Sequence, residues 1–375
     1  MKILYILNVA KRVNNFSYTS MIAAQECGFE FHIAGNWSYR TQNELIADEK
    51  KYGIRVHQID FVRRPYNLKN RKAYKQLLSL CRFEKFDIIH CNTPVGGLLG
   101  RLVGEKCKVK TVIYQAHGFH FYKGSSLVSW LIYYPIEKWL AHKTDILITI
   151  NKEDYALAAR RMHLRKDGII EYVPGVGIDL DNSNCLISQS DSKRIELGIS
   201  KESFVIISTG DLIKRKNYKN AIKAVSLLNY DVSYIICGLG PEEKRLKKLT
   251  HKLGISDKVF FLGYRTDVLE LLCMSDVFLL TSYQEGLSRS LMEAMSKGLP
   301  CVASRIRGNT DLLGENNEYL INPDDYSGFA KALHSLLTDP KKRKENINAC
   351  LKNIIAFSND VAVESYKKVY ERLKI

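Results

Sequence analysis

The sequence predicts an α/β protein with two domains, each built on a parallel β-sheet. Short apolar runs alternate with helical patterns along the whole chain, as in successive βα units. The alternation breaks at a polar, turn-rich stretch, residues 174–192, and then resumes. A length of 375 residues also exceeds what one hydrophobic core usually serves. We therefore expect two domains joined by this connector.

The apolar part of residues 1–8 is too short for a secretory signal. We therefore predict that it forms the first buried strand of the first half. Further apolar runs follow, with helical patterns between them. The predicted strands of this half are residues 2–7, 30–34, 55–61, 87–91, 110–115, 145–150 and 169–173.

After the connector the same alternation starts again. The predicted strands are residues 204–209, 232–237, 258–262, 276–280, 300–304 and 319–321. Three helical patterns close the chain, at about residues 326–337, 341–355 and 360–373. We interpret the two series as two Rossmann-like domains facing each other across a cleft.

Composition narrows the class of protein. The hydrophobic fraction of 46% fits a globular chain. No run reaches the roughly 18 uncharged apolar residues that a membrane-spanning helix needs. The nine cysteines are odd in number and scattered, without close pairs, which predicts reduced thiols in the cytoplasm and neither a disulfide framework nor a zinc site.

The net charge of +16 is concentrated in the first half. Residues 61–75, the basic patch, contain no acid. Its cations are Arg63, Arg64, Lys69, Arg71, Lys72 and Lys75. Such a patch could meet anionic lipid, a lipid-linked diphosphate or nucleic acid, or form a solvated helix face. No nucleic-acid-binding motif accompanies the charge, so nucleic acid is not an expected partner.

Residues 126–140, the aromatic segment, hold two tryptophans and two tyrosines beside lysines. This composition suits a membrane interface, and equally a helix packed into the first domain. Taken with the basic patch, it favours a cytoplasmic protein bound peripherally to the anionic inner face of the cell membrane.

Two carboxylates eight positions apart mark the strongest candidate site. Glu285 lies in a tight loop after the strand at 276–280, and Glu293 lies on the helix that begins near Leu287. The loop should open at the carboxyl edge of the sheet, where ligands bind. Free N–H groups at the helix start suit a phosphate, whereas the carboxylates suit hydroxyl groups. A sugar nucleotide meets all of these demands.

Other candidates end neighbouring strands. Lys216, in a loop with three adjacent cations, could neutralise a diphosphate as it leaves, or the loop could be a plain surface turn. Gly238 and Gly240 form a Gly-x-Gly turn, which alone is weak evidence. In the first half, His117 precedes a glycine and could bind a sugar hydroxyl or help organise the reacting centre, although a histidine that caps a strand is the usual case.

The pair Asp179 and Asp181 imitates a metal-binding Asp-x-Asp motif. It falls in the connector between the two sheets, so we reject a metal site there. Lys216 and helix amides would meet the charge of the leaving diphosphate instead. We expect no metal ion and no other cofactor.

Together these positions resemble the family 4 retaining glycosyltransferases of GT-B fold. The matching pieces include His117-Gly118, the loop from Gly210 to Lys216-Asn217, the turn at residues 238–241 and the Glu-x₇-Glu element. The runs at residues 117–124 and 306–312 resemble the bacterial capsule and exopolysaccharide branch. Two departures are Asp211, where many members carry arginine, and the loop at 8–15, which lacks paired glycines.

The resemblance implies a role for each candidate. Glu285 would contact donor-sugar hydroxyls, Glu293 the ribose hydroxyls, and Lys216 the diphosphate. The implied catalytic residues are His117, Lys216 and Glu285. The implied donor-binding residues are Arg215, Gly238, Gly240, Tyr264, Arg265, Gly286, Leu287, Ser288 and Glu293. Among these, Tyr264 and Arg265 would lie near the base, and Arg215 could replace the arginine missing at Asp211.

The resemblance also implies domain roles. Residues 1–178 would bind the acceptor, residues 190–357 the nucleotide-sugar, and the helix at 358–375 would pack back on the first domain. The expected activity is retaining transfer of a sugar, from a donor that we expect to be UDP-linked, to a polyprenyl-diphosphate-linked saccharide in capsule, exopolysaccharide or O-antigen synthesis. The alternatives are a UDP-N-acetylglucosamine 2-epimerase-like enzyme of the same fold and an inactive membrane-recruited scaffold. A dehydrogenase is disfavoured, because no Gly-x-Gly-x-x-Gly follows the first strand.

Overall fold

The computed structural model describes residues 1–10, 12–13, 16–165, 167–180 and 187–374. The chain divides into two compact units, each with its own sheet. The first unit comprises Met1–Gly177 and Asn359–Ile375, and the second comprises Ile178–Ser358. The predicted α/β class is confirmed, with a Rossmann-like parallel sheet in each unit.

In the described part of the first unit, seven parallel strands form one sheet. They are β1 (Lys2–Val9), β2 (Glu30–Asn36), β3 (Arg55–Gln58), β4 (Ile88–Asn92), β5 (Thr111–Ala116), β6 (Ile146–Thr149) and β7 (Ile169–Tyr172), in the spatial order β3-β2-β1-β4-β5-β6-β7. The helices between them are α1 (Tyr18–Glu26), α2 (Gln42–Tyr52), α3 (Asn70–Glu84), α4 (Pro94–Lys106), α5 (Leu127–Ala141) and α6 (Lys152–Arg161). Strand β5 is buried at every residue, which explains its continuous apolar character.

The second unit has a six-stranded parallel sheet within its described residues. Its strands are β8 (Phe204–Thr209), β9 (Val232–Cys237), β10 (Val259–Gly263), β11 (Val277–Leu280), β12 (Cys301–Ser304) and β13 (Leu320–Ile321), in the order β10-β9-β8-β11-β12-β13. Its helices are α7 (Ile187–Glu196), α8 (Tyr218–Ser226), α9 (Glu243–Lys252), α10 (Val268–Cys273), α11 (Arg289–Ser296), α12 (Asn309–Leu313), α13 (Tyr326–Thr338) and α14 (Pro340–Ile354).

Every predicted strand forms, and the largest boundary error is at β3. The sequence predicts this strand to residue 61, but it ends at Gln58. Beyond it the chain leaves the ladder, because the Phe61 N–H turns back to the Ile59 carbonyl at 2.8 Å. Both residues are buried. Their apolar character reflects a loop that fills the core and not a longer strand.

Helix α4 lies very close to the sheet because it lacks side chains at its contact points. A Cβ on Gly97 would stand 2.4 Å from the Tyr114 ring, and one on Gly104 would stand 2.5 Å from Val112. Only glycine permits this approach. The close packing brings the Arg101 guanidinium over the Tyr114 ring, with its carbon 3.7 Å from the ring centroid.

The last helix, α15 (Asn359–Glu371), belongs to the first unit, where it packs against α1. Its tyrosines join a buried polar network on β4 and β5. The Tyr370 hydroxyl is 2.7 Å from His90 Nδ1, and Gln115 Nε2 donates to the Tyr366 hydroxyl at 2.6 Å. Because buried polar groups must be hydrogen-bonded, this network fixes where the helix lies on the sheet.

Among the described residues, the cysteines match the predicted reduced state with one exception. Seven of the described cysteines are free thiols: Cys27, Cys81, Cys91, Cys107, Cys237, Cys301 and Cys350. Cys273 is disulfide-bonded, so the expectation of reduced thiols throughout the chain is wrong at this position. Spacing along the sequence does not reveal which thiols the fold brings within bonding distance.

Candidate active site

The loops that follow β8, β9, β11 and β12 lie at one edge of the second sheet. Parallel strands end at the same edge, and these strands include the three neighbours β9, β8 and β11 in the centre of the sheet. Most of the donor-site residues predicted from the sequence lie in or directly after these loops. The sheet topology therefore gathers them from positions far apart in the chain.

The loop after β8 is tied to the loop after β11. It turns at Gly210, where φ is 140°, and forms one 3₁₀ turn over Lys214–Lys216. Asn217 ends that turn at φ 53°, and its Nδ2 donates to the Thr281 carbonyl at 3.0 Å. The Thr281 hydroxyl donates in return to the Asn217 carbonyl at 3.0 Å. These reciprocal bonds place Lys216 beside the loop after β11, which carries Glu285 and is called the acidic loop below.

Glu285 lies between two cations. Lys216 Nζ is 2.8 Å from Oε1, and Arg215 Nη1 is 3.3 Å from Oε2. The Lys216 contact is an ion pair without the alignment of a hydrogen bond. Glu285 is only 7% exposed. A buried carboxylate is costly unless it is paired, and these two cations supply the pairing.

The second carboxylate of the Glu-x₇-Glu element lies on α11. Ser288 caps this helix, since its hydroxyl accepts from the Leu291 N–H at 3.4 Å. Glu293 is partly exposed and its Oε1 accepts from Arg289 Nε at 3.0 Å. The residues at 286–288 form the turn between the two acids. The N–H groups of the first turn of α11 therefore begin four residues after Glu285, at Arg289.

Two neighbours of Glu285 come from the loop after β12, and the sequence assigned them no role. Arg307 is buried, and its Nε donates to the Glu285 carbonyl at 3.3 Å. Gly308 has φ 78°, and a Cβ built there would stand 2.3 Å from the Gly286 carbonyl oxygen. An Arg-Gly pair soon after a buried strand was the available signal. The loop after β12 therefore packs against the backbone of the acidic loop and helps fix its conformation.

Gly238 and Gly240 allow the loop after β9 to pack closely against the loop after β8. A Cβ on Gly238 would stand 1.9 Å from the Gly210 carbonyl oxygen, and one on Gly240 would stand 2.4 Å from the Leu212 carbonyl oxygen. The loop after β9 therefore supports the loop that carries Lys216. Their predicted contact with the donor stays a prediction.

Tyr264 and Arg265, which follow β10, differ in what they can offer a ligand. The Tyr264 side chain is 71% exposed. The Arg265 guanidinium is held by Asp267, at 2.8 and 2.5 Å, and by Glu196 at 3.3 Å. Because Asp267 and Glu196 already bind the Arg265 guanidinium, Tyr264 is the more available of the two to contact a nucleotide base.

His117 directly follows β5 in the first unit. Its Nε2 is 3.0 Å from Asn92 Oδ1, and the Phe16 ring meets it edge-on at 5.7 Å between centroids. Gly118 turns the chain at φ 115°, and the next N–H, of Phe119, donates to Asp154 Oδ2 at 3.1 Å. Burial lowers the pKa of His117 to about 4, so the ring is neutral at physiological pH.

Some predicted positions lie outside the described residues. They are Lys11, Asn14 and Asn15 of the first loop and Asp181 of the Asp-x-Asp pair. In the described part of the chain, no group of three His, Cys, Asp or Glu side chains is placed to hold a metal ion.

Comparison with known proteins decides the family. Residues 2–151 match the family model "Glycosyl transferase 4-like", and residues 189–352 match "Glycosyl transferases group 1". EpsD of Bacillus subtilis (strain 168), named as a glycosyltransferase, is 32% identical over 98% of this chain and 96% of its own length. The chain belongs to the family 4 glycosyltransferases. A UDP-Gal:α-D-GlcNAc-diphosphoundecaprenol α-1,3-galactosyltransferase of Escherichia coli is 30% identical over 81% of this glycosyltransferase and 80% of its own length.

Solved structures show that this glycosyltransferase has the GT-B fold. HepE of Anabaena, in complex with UDP-glucose, matches with a TM-score of 0.80 at 17% identity, over 99% of this chain and 100% of its own. Sucrose-phosphate synthase of Thermosynechococcus elongatus matches with a TM-score of 0.79 at 16% identity, over 99% and 98%. The predicted fold and the predicted enzyme class are both confirmed.

Proposed function

We propose that this glycosyltransferase moves a sugar from a UDP-sugar to a lipid-linked saccharide, with retention at the anomeric carbon. The observation that carries the proposal is Glu285, buried at the carboxyl edge of the second sheet between Lys216 and Arg215. A carboxylate suits the hydroxyls of a sugar, and adjacent cations suit the diphosphate attached to it. One cluster therefore offers both kinds of contact that a nucleotide-sugar needs.

The donor would lie along the start of α11. Glu285 would accept hydrogen bonds from donor-sugar hydroxyls and Glu293 from ribose hydroxyls. Lys216 and the backbone N–H groups at residues 286–288 would hold the diphosphate, as helix N-termini hold phosphates elsewhere. Arg215 would provide the second cation, since its Nη1 already lies at the edge of the acidic loop, 2.5 Å from the Gln284 carbonyl. Tyr264 would meet the base.

The chemical step would exchange two bonds at the anomeric carbon. The bond to the diphosphate oxygen breaks as the bond to the acceptor hydroxyl oxygen forms. The hydroxyl proton passes to the departing diphosphate, which keeps the electron pair of the broken bond. Lys216 would stabilise the negative charge that grows on this leaving group, because a preorganised charge needs no rearrangement at the moment of reaction. His117 would bind a sugar hydroxyl in the first unit.

The name of one relative supports a lipid-linked acceptor. The E. coli enzyme acts on GlcNAc-diphosphoundecaprenol, as its name states, and is similar over four fifths of this chain. We extend that acceptor class, a polyprenyl-diphosphate-linked saccharide, to this chain. Such acceptors are built into capsule, exopolysaccharide or O-antigen, and the donor would be a UDP-hexose or UDP-N-acetylhexosamine.

The test begins with a thermal-shift screen of nucleotide-sugars, because a ligand that binds only the folded state raises its stability. The best donor is then incubated with a synthetic polyprenyl-diphosphate-GlcNAc acceptor. We expect an acceptor-dependent glycolipid product and release of UDP. Conversion of UDP-N-acetylglucosamine to its epimer without acceptor would favour the epimerase alternative. Absence of any donor binding would overturn the enzyme proposal.

We further propose that the first unit binds the anionic inner face of the cell membrane through α5. Apart from Leu140 and Ala141, the helix is not buried, although it is rich in apolar residues. Its exposed apolar residues are Leu127, Val128, Leu131, Ile132, Tyr133, Ile136 and Trp139. Lys123 and Lys138 flank them and are exposed. Apolar side chains with Trp, Tyr and Lys at their margin are typical of interfacial helices.

The basic patch supports the same partner. All six of its cations are exposed, and two apolar side chains project among them, Tyr66 at 82% and Leu68 at 70% exposure. Each cation near an anionic surface contributes about 1 kcal/mol. No helix within the described residues is long and apolar enough to cross a membrane. Surface attachment is the form of membrane binding that these features favour.

Vesicle co-sedimentation tests this attachment. We expect binding to vesicles that contain phosphatidylglycerol, weaker binding to pure phosphatidylcholine, and a decrease with added salt. The double variant Leu131→Ser/Ile132→Ser should lose most binding. The control Ile355→Ser changes an equally exposed apolar residue, at 58%, in the second unit and should bind as wild type does. Equal binding of both variants would contradict the assignment to α5.

A further inference from the structure

The two ring nitrogens of His117 have different surroundings. Nε2 lies 3.0 Å from Asn92 Oδ1. No described residue forms a hydrogen bond with Nδ1. Asn92 is the last residue of β4 and pairs in register with Gln115 on β5, so the two strands hold both side chains at the same sheet edge. The ring therefore has one nitrogen tied to the protein and one available to a ligand.

The orientation of the Asn92 amide decides which tautomer this contact requires. Asn92 Nδ2 faces the Ile6 carbonyl at 3.4 Å. A reversed amide would turn its own carbonyl oxygen toward that acceptor, and two acceptors repel. The Tyr5 hydroxyl does not decide the orientation, because it has a single hydrogen and lies 2.9 Å from the Phe16 carbonyl and 3.3 Å from Asn92 Oδ1. Because of the Ile6 contact, Oδ1 faces His117, and Nε2 must carry the hydrogen.

We infer that Asn92 is a positioning residue that holds His117 in the Nε2–H tautomer and leaves its Nδ1 lone pair to accept a hydrogen bond from a sugar hydroxyl. The inference rests on the proposed function, which supplies that hydroxyl from either the donor sugar or the acceptor. A neutral imidazole donates from one nitrogen and accepts at the other, so fixing one nitrogen fixes the role of the other. Asn92 therefore makes Nδ1 of His117 a hydrogen-bond acceptor and not a donor.

The surroundings of the ring agree with a neutral imidazole. The titratable groups near it on β1 and β4 include Tyr5 and His90. Burial raises the pKa of the Tyr5 hydroxyl well above its usual value and lowers the pKa of His90 to about 3, so neither carries a charge near neutral pH. An imidazolium would point N–H groups at both Asn92 and the ligand. It would then lose the acceptor that the sugar hydroxyl needs.

Nuclear magnetic resonance of the full chain, labelled with ¹⁵N-histidine, tests the tautomer directly. The His117 signals are assigned by their loss in His117→Gln. At pH 7 we expect a protonated Nε2 and an unprotonated Nδ1 in the wild-type protein. Asn92→Leu should give a mixture of tautomers, whereas Asn92→Asp, which keeps the acceptor oxygen, should retain Nε2–H. A wild-type ring protonated at Nδ1, or a single Nε2–H tautomer in Asn92→Leu, would overturn the inference.

Asn36→Leu is the matched control for these spectra. Asn36 is also the last residue of a parallel strand, β2, and its Nδ2 donates to the Phe61 carbonyl at 2.9 Å. Its replacement disturbs a comparable strand end without touching His117. We expect the wild-type tautomer in this variant. A change there as large as in Asn92→Leu would mean that the tautomer reports general stability, which would overturn the positioning role.

Kinetics tests the use of the tautomer. Asn92→Leu should lower kcat/KM about 5–10-fold, the loss expected for one hydrogen bond. The KM that rises, for donor or for acceptor, identifies the sugar bound by Nδ1. Asn92→Asp places a carboxylate beside the ring, raises the pKa of His117 and should move the acid limb of the pH profile upward by at least one unit.

The resonance spectra and the kinetics together distinguish failure of this inference from failure of the proposed function. If no donor sugar is transferred by the wild-type protein, the proposed function fails, and the resonance spectra still decide the tautomer. If transfer occurs but Asn92→Leu and His117→Gln both retain wild-type kinetics and pH profile, the hydrogen bond to the sugar is overturned and the donor site at Glu285 is unaffected.

Discussion

Lys216 Nζ lies 2.8 Å from Glu285 Oε1, so the cation proposed for the diphosphate and the carboxylate proposed for the sugar are in direct contact. Lys216 is itself mostly buried, with 13% of its side chain exposed. Each group lowers the cost of burying the other. In the proposed mechanism, the pair would hold the ammonium beside the bond that breaks during transfer. Positioning before the reaction begins is what makes such a charge effective.

Replacement of Lys216 should therefore impair chemistry more than binding. Lys216→Ala is expected to lower kcat by about 10²–10³, because one preorganised charge contact at the developing negative charge has that effect. The measurement is steady-state transfer with a saturating donor. Lys214→Ala is the control, since Lys214 belongs to the same 3₁₀ turn and is exposed. An unchanged kcat in Lys216→Ala would remove this residue from the mechanism.

Glu293 should act on donor affinity. Glu293→Ala is expected to weaken UDP binding at least 10-fold, because a hydrogen bond to a charged group contributes about 1.5–3 kcal/mol. Isothermal titration with UDP measures this directly. Arg289→Ala removes the ion-pair partner of Glu293 and is the control. An exposed pair of this spacing contributes only about 0.3–0.5 kcal/mol, so Arg289→Ala should bind UDP almost normally. Wild-type affinity in Glu293→Ala would contradict the ribose role.

Gly308 tests how the loop after β12 supports the acidic loop. Gly308→Ala would place a methyl group 2.3 Å from the Gly286 carbonyl and force the two loops apart. Gly314→Ala is the matched control, because its φ of 90° imposes a similar backbone strain while its nearest neighbour is 3.9 Å away. We expect Gly308→Ala to lose donor binding as well as stability and Gly314→Ala to lose stability only. Equal UDP affinity in both variants would show that the contact does not shape the site.

The sequence predicts the sheets and the two loops of the donor site well, because both depend on local patterns. Buried parallel strands are short, continuous apolar runs between turns, and this pattern locates β8 and β11. Lys216 and Glu285 each follow such a strand. Since parallel strands share a carboxyl edge, their proximity follows from topology alone, without knowledge of any contact.

Contacts between distant segments are what the sequence does not predict. The buried Arg307 reads as an ordinary surface cation until the fold places it against the Glu285 carbonyl. Arg265 was predicted to lie near the base, yet its guanidinium contacts Glu196, which is 69 positions away in the chain. Asn92 is 25 positions from His117 in the chain. In each case the two contacting residues are brought together by the folded structure, and their separation in the sequence does not predict the contact.

The buried pair of Arg101 and Glu137 should hold α5 on the first unit. Their atoms Nη1 and Oε2 are 2.8 Å apart, and Arg101 is 1% exposed. Glu137→Ala leaves a buried guanidinium without its counter-charge, which is expected to cost about 3–5 kcal/mol. The free energy of unfolding in urea measures this loss.

Glu105→Ala is the control for that experiment. Glu105 pairs with Lys143 at 2.6 Å, but its side chain is 51% exposed. Such a surface pair contributes only about 0–1 kcal/mol. If both variants lose the same stability, the ion pair at Arg101 is no more important than a surface contact, and another interaction must secure α5.

Stability should fall as the pH is lowered from 7 to 5. Burial lowers the pKa of His57 to about 4 and that of His90 to about 3, from an ordinary value of 6.5. Between those values the unfolded chain binds more protons than the folded one, so the contribution is fully present above pH 6.5 and is lost as the pH falls. A completely shifted group contributes up to about 1.4 kcal/mol per pH unit.

His57→Gln isolates one of these groups. Its ring nitrogen contacts His32 at 2.9 Å, a contact that a glutamine can retain without titrating. We expect its urea stability to depend less steeply on pH than that of the wild type between pH 7 and 5. Glu30 and Asp60, whose pKa values are lowered by their hydrogen bonds to His32 and Lys72, lose their contribution as the pH falls below their ordinary values of 4.5 and 3.8, which lie under this window. The exposed His251→Gln should keep the wild-type slope. Identical slopes for all three proteins would mean that buried histidines do not set the acid sensitivity of this fold.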